Sequence, residues 1–176
     1  MDTKRSIWLL VGPRECGKTT FCHRLALEAK RSGWKVAGVT MPSVIENGVK
    51  TAVELVDLRD DTTFVLMHRS VNPSDTEQPL WLKNYTTILT ADRAFNGIGE
   101  SDLLIFDELH ALELVEGRGI KSALPAMDAG KYRVGLVTLR PELLEGALAR
   151  WPEAKILDLS DPTTLTDFVT NSTRTI

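Results

Sequence analysis

The sequence predicts an α/β fold: a mainly parallel sheet sandwiched between helices, with an antiparallel β extension. Three observations carry this. Apolar runs at 7–11, 103–107, 134–139 and 155–159 are separated by helical stretches, the pattern of βαβ units. Residues 36–67 read instead as two or three strands joined by tight turns, with no room for helices between them. The first apolar run feeds a glycine-bearing loop and then a helical pattern. The loop should therefore sit at the carboxyl edge of the sheet, where open α/β sheets bind ligands. At 176 residues the chain reads as one domain, 1–176, long enough for a sizeable core.

The elements follow in order. Ile7–Val11 is the first strand. Phe21, Leu25, Ala26 and Ala29 recur at helical spacing with charges opposite, and Gly33 marks the stop. Val36–Met41 suits a buried strand closed by Pro42, and Glu46-Asn47-Gly48 is a turn. Thr51–Leu58 and Thr62–Met67 read as strands around the turn Arg59-Asp60-Asp61. Residues 69–84 show no periodicity and make the longest expected loop, a candidate flap. Trp81 within it is either an anchor on the core or a base-stacking ring. Tyr85–Leu89 reads as a strand and Asp92–Glu100 as a brief helix or coil. Glu116–Ala129 reads as a helix that Pro125 kinks or shortens. Val134–Leu139 is a buried strand, Glu142–Arg150 a helix and Lys155–Leu159 a last strand. Asp161-Pro162 is a good start for a helix through about Thr170.

A net charge of -3 gives no global pull toward nucleic acid or anionic membrane, so neither is an expected partner. The first apolar run is too short, and too soon broken by Gly12 and Pro13, for a signal peptide or a membrane span. The expectation is a cytoplasmic protein. Two cysteines, Cys16 and Cys22, make no disulfide framework. Cys16 is either a redox-sensing thiol or a small filler in a variable loop position.

The chemistry concentrates at two landmarks. Gly12-Pro13-Arg14-Glu15-Cys16-Gly17-Lys18-Thr19 has the form G-x-x-x-x-G-K-[ST], between a strand and a helix. Its glycines let successive amides point inward around phosphate oxygens, and the helix that follows aims its positive end at them. Lys18 supplies charge for the β- and γ-phosphates, and the Thr19 hydroxyl is placed to ligate Mg²⁺. The second landmark is Leu103-Leu104-Ile105-Phe106 followed by Asp107-Glu108. Given such a loop, Asp107 is expected to hold Mg²⁺. Glu108 is expected to orient the attacking water and accept its proton. Arg140, just past its strand, is the favoured cation for charge growing on the γ-phosphate; Arg118, Lys121 and Arg14 are alternatives. His110 and Glu113 either cap and pack or touch substrate, and His23 and His68 read as ordinary surface or packing residues. No Asn-Lys-x-Asp or Ser-Gly-Gly-Gln stretch occurs, so base preference is unreadable and a guanine-reading switch is disfavoured.

Gly12–Thr20, read with Asp107-Glu108-Leu109-His110-Ala111-Leu112-Glu113-Leu114, resembles the P-loop nucleoside-triphosphatases of the thermophilic and cancer-related type. In that family Gly-x-x-Gly-x-Gly-Lys-Thr-Thr is followed later by Asp-Glu-Ile-Gly-Lys-Met-Glu-Leu. Trp34–Leu58 and Val134–Arg140 are also similar. The resemblance implies a P-loop αβα sandwich, RecA- or kinase-like. It implies Mg²⁺-dependent hydrolysis of ATP, GTP and other triphosphates to diphosphate and phosphate, with broad base tolerance. It carries phosphate binding onto Gly12–Thr20, including Thr20, and metal and base roles onto Asp107 and Glu108. The chain departs from the pattern at His110-Ala111, where the family has Gly-Lys. It departs again at Glu15, where the loop's central glycine usually stands. The segment between Tyr85 and Asp107 is short for the family. Two other readings stay open. One is a nucleotide or small-molecule kinase whose flap and Arg93, Arg118 and Lys121 form an acceptor site. The other is a nucleotide-binding accessory protein with little turnover, acting through residues 36–67.

Overall fold

The computed structural model describes residues 5–70, 80–161 and 168. The elements are β1 (Ser6–Val11), α1 (Lys18–Arg31), β2 (Val36–Thr40), β3 (Ser43–Glu46), β4 (Val49–Asp57), β5 (Thr62–Arg69) and β6 (Trp81–Lys83). They continue with α2 (Tyr85–Phe95), β7 (Ser101–Phe106), α3 (Ala111–Leu114), α4 (Ala123–Ala129), β8 (Tyr132–Leu139), α5 (Leu144–Arg150) and β9 (Lys155–Asp158). The strands form one sheet in the order β6-β5-β4-β2-β7-β8-β1-β9, with β3 also pairing with β4. From β2 to β9 every pair is parallel. β3, β4, β5 and β6 are added antiparallel beyond β2.

The central strands are apolar throughout because both faces are covered. Their alternation sorts residues into two layers. Leu9, Leu104, Phe106, Val137 and Leu139 pack with Ala91, Ala94 and Phe95 of α2, Leu124 and Met127 of α4, and Ala147 of α5. Trp8, Leu10, Leu103, Ile105 and Leu136 pack with Cys22, Ala26 and Ala29 of α1 and with Phe168. The αβα sandwich thus follows from the period-2 pattern of each strand. Gly38 lets β2 lie against β7: at φ 98°, a Cβ there would stand 1.9 Å from the Ile105 carbonyl oxygen.

Two elements differ from their sequence reading. Tyr85–Leu89 belongs to helix α2, not to a strand. Asn84 caps it, its side chain accepting from the amides of Thr86 (3.1 Å) and Thr87 (3.3 Å). Burial of Thr87, Ala91, Ala94 and Phe95 on one face then overrides the strand preference of Tyr-Thr-Thr-Ile. The helix read over Glu116–Ala129 is confined to Ala123–Ala129. Gly117 and Gly119 lie at positive φ and shape a loop instead, and Pro125 sits in the first turn of α4, where no amide is missed.

Of the expected loop at 69–84, residues 71–79 lie outside the described residues. Trp81 starts edge strand β6, and its ring packs partly buried against the core, as an anchor does. The C-terminal helix also falls largely outside them; Phe168 is helical and buried, edge-on to Trp8 at 5.2 Å.

Candidate phosphate-binding cleft

Strand order decides what meets at the carboxyl edge. The loop after β1 and the acids after β7 are two strands apart, with the end of β8 between them. A cleft of about 440 Å³ opens there. It is lined by Arg14, Glu15, Gly17, Lys18, Thr19 and Thr20 from the loop and α1, by Asp107 and Glu108, and by Thr138 and Arg140. Gly12, Pro13 and Cys16, also expected to bind phosphate, are not among the residues that line it. Gly12 leaves room for the Cys16 side chain, whose Sγ would stand 2.6 Å from a Cβ at that position.

The loop folds through two left-handed residues. Gly17, at φ 95°, turns the chain into α1. Glu15, at φ 60°, takes the same conformation with a side chain, so the site of the family's glycine carries strain. Lys18 Nζ donates to the carbonyl oxygens of Gly12 (2.7 Å) and Pro13 (2.6 Å), folding the side chain back over the loop.

Asp107 is wholly buried. One carboxylate oxygen accepts the Met41 amide at 2.9 Å and the other the Thr138 hydroxyl at 2.7 Å. Burial pushes its pKa up from the ordinary range; the Met41 amide and the Thr138 and Thr19 hydroxyls pull against that rise. Thr19 and Asp107, 88 residues apart in the sequence, therefore line the same cleft, with the Thr19 hydroxyl among the groups acting on the Asp107 carboxyl. A carboxylate beside a hydroxyl is a hard-oxygen donor set of the kind Mg²⁺ accepts, with water and phosphate completing its shell. No group of three His, Cys, Asp or Glu gathers among the described residues, so the protein alone offers no closed metal cage.

Glu108 stands at φ 67°, a strained conformation for a residue with a side chain. Its amide donates to Thr138 Oγ1 at 2.6 Å. Thr138 therefore fixes both acids: its hydroxyl donates to Asp107 and accepts from Glu108. The Glu108 carboxylate is half-exposed, 3.8 Å from Arg140 Nη2 and 3.6 Å from His110 Nε2. Arg140 also approaches Glu142 at 3.9 Å. Beyond the acids, Glu113 is buried and shapes the next loop, accepting the amides of His110 (3.2 Å) and Ile120 (3.1 Å).

The structure thus brings together Lys18, Thr19, Asp107, Glu108 and Arg140. It does not bring Arg93, Arg118 or Lys121 to this cleft; Arg118 pairs with Glu116 at 3.2 Å on the surface. Thr138 is a cleft residue that the motif spacing does not point to. Thr138 had one signal: a hydroxyl at the carboxyl end of an otherwise apolar run. His23, expected as an ordinary surface or packing residue, lines the cleft one turn after Thr19, with a buried Nδ1 unbonded among the described residues. Cys16 is exposed and Cys22 buried, its thiol pushed well up by burial and by the nearby Asp107.

The model of the NTPase family matches residues 8–161, most of the chain. The chain belongs to the NTPase family. Among this family member's relatives is the nucleoside-triphosphatase THEP1 of Methanopyrus kandleri. The two are 25% identical over 122 residues, 69% of this chain and 67% of that protein. The solution structure of a human cancer-related nucleoside triphosphatase superimposes with a TM-score of 0.70 at 18% identity, covering 98% of this chain and all of the other. That likeness establishes the fold as the P-loop αβα type. The family match agrees with the hydrolase reading of the two landmarks.

Proposed function

We propose that this chain is a Mg²⁺-dependent nucleoside-triphosphatase that releases phosphate from ATP, GTP and other triphosphates. The observation that carries it is the meeting of Lys18, Thr19, Asp107 and Glu108 in one cleft, with Thr138 bonded to both acids. In this reading the Gly12–Thr20 amides hold the phosphate chain, and Lys18 turns from the loop carbonyls to the β- and γ-phosphates. Thr19 and Asp107 hold the metal, which when bound neutralises charge on the phosphate oxygens. Glu108 orients water and takes its proton as the water oxygen bonds to the γ-phosphorus, while the bond from that phosphorus to the β,γ-bridging oxygen breaks and its electron pair leaves with the diphosphate. Arg140 steadies Glu108 and meets charge on the departing phosphate. The named groups touch phosphate and not base, which supports broad base tolerance. The length of 176 residues supports a single domain. No described helix is long and apolar enough to cross a membrane.

The test is Glu108→Gln. Phosphate release should fall by about 10²- to 10⁴-fold, the usual worth of a positioned base. Affinity for ATP should stay within about threefold, a difference worth under ~1 kcal/mol. Unchanged turnover would remove Glu108 from the reaction.

A further inference from the structure

The cleft does not end at the acids. It continues past Asp107 and Glu108 to the β3–β4 hairpin, where Ser43, Ile45, Lys50 and Val53 form a wall facing His23 and Arg24 of α1. With the triphosphate on the loop, its γ-phosphate lies at the acids and its leaving group toward the loop. An in-line attacker must come from the opposite side, which is this wall. Hydrolysis needs space there for one water, ~30 Å³. The cleft's volume of about 440 Å³ spans the loop side and this wall together, and the wall adds charged and apolar side chains that a single water does not need.

Its chemistry is specific. The carboxylates lining the cleft are Glu15, Asp107 and Glu108; the hairpin and the second turn of α1 contribute none. Lys50 and Arg24 are cations that make no ion pair among the described residues. The Lys50 Nζ stands 5.7 Å above the Trp81 ring, a contact that steadies it at the edge of the cleft its residue lines. His23 adds a buried nitrogen without a partner among the described residues. Ile45 and Val53 offer an apolar side.

We propose that this wall is a subsite for a small phosphorylated alcohol, such as a nucleoside or sugar monophosphate, which receives the γ-phosphoryl group in place of water. The proposal rests on the nucleotide reading above. Lys50 and Arg24 bind the acceptor's phosphate, and its carbon skeleton lies on Ile45 and Val53. The acceptor hydroxyl gives its proton to the Glu108 carboxylate, and its oxygen bonds to the γ-phosphorus. The bond from that phosphorus to the β,γ-bridging oxygen breaks, and its electron pair leaves with the diphosphate.

The experiment supplies ATP labelled in the γ-phosphate, Mg²⁺, and either ribonucleoside monophosphates and ribose 5-phosphate or the same compounds without phosphate. Labelled inorganic phosphate and labelled acceptor are both measured. Label should enter a phosphorylated acceptor and not its dephosphorylated counterpart. Arg24→Ala with Lys50→Ala should raise the acceptor KM about tenfold or more, the loss of a charge-assisted contact. Phosphate release without acceptor should stay within about twofold. Steady phosphate release with no labelled acceptor overturns the subsite and leaves the hydrolase standing. Transfer indifferent to the double substitution overturns it too. Absence of both products together with absence of ATP binding overturns the nucleotide reading, and the subsite with it.

Discussion

Thr138 is the residue on which the two acids depend, and its hydroxyl has a fixed polarity. The donated hydrogen goes to Asp107 and the lone pair receives the Glu108 amide. Thr138→Val keeps the shape and removes both bonds, leaving one buried acceptor and one amide unsatisfied. The expected cost is about 1–3 kcal/mol of stability, read by urea denaturation. A loss in kcat larger than in KM should accompany it, because Glu108 loses the bond that holds its strained backbone. Glu15 presents the opposite case. Glu15→Gly relieves a left-handed conformation worth about 1 kcal/mol, but loosens the unfolded chain by a similar amount. Stability should therefore hardly change, while nucleotide binding tightens as a carboxylate leaves the cleft. Titration calorimetry with ATP should show a Kd several-fold lower, and a weaker Kd would contradict the repulsion assigned to the Glu15 carboxylate. At this scale the sequence was legible wherever a motif fixes spacing. Lys18 and Thr19 follow from the loop's spacing, and Asp107 and Glu108 from acids closing an apolar strand once that loop is granted. Thr138 was not legible, because its relation to those residues depends on which strands become neighbours.

Strand periodicity was legible as far as burial is symmetric. β1, β7 and β8 stand out as apolar runs because helices cover both their faces. Helix α2 was misread because its first residues are strand-formers, and only the cap at Asn84 and the buried stripe through Phe95 reverse that preference. The loop at Gly117–Gly119 was misread because its shape comes from Glu113, a buried carboxylate seven residues from the amide it binds. Gly38 sets the distance between β2 and β7, and through it the place of Met41, whose amide bonds Asp107. Gly38→Ala adds both an atom overlapping the Ile105 carbonyl and a disfavoured φ. A loss above about 4 kcal/mol is expected, enough to leave little folded protein by circular dichroism. A variant that folds with normal stability would mean that β2 and β7 are not paired as described.

For the whole molecule, the αβα layering turns a buried acid into both a liability and a tool. Burial raises the pKa of Asp107 in the folded protein above its unfolded value. The native state therefore holds that proton more tightly. Ionising Asp107 costs no stability below the unfolded pKa, an increasing amount as pH rises toward the folded pKa, and the full amount above it. Asp107→Asn removes this cost, and its one side-chain oxygen can still accept the Met41 amide, as a carboxylate oxygen does in the natural protein. The nucleotide-free variant should be more stable than the natural protein at neutral pH, with the gap closing as pH falls toward 4. The same charge is the one proposed to hold Mg²⁺, so the gain in stability should come with a loss of metal-dependent binding.

The most direct measurement of that claim is thermal unfolding with ATP, with and without Mg²⁺, in the natural protein and in Asp107→Asn. At nucleotide concentrations ~100 times the dissociation constant, binding adds about 2.7 kcal/mol, or roughly 5–10 °C in Tm for a chain of this size. The account predicts such a shift in the natural protein only when Mg²⁺ is present, and a small, Mg²⁺-independent shift in Asp107→Asn. An equal Mg²⁺-dependent shift in both proteins would contradict a single site built from the loop and the β7 acid, as would no shift in either.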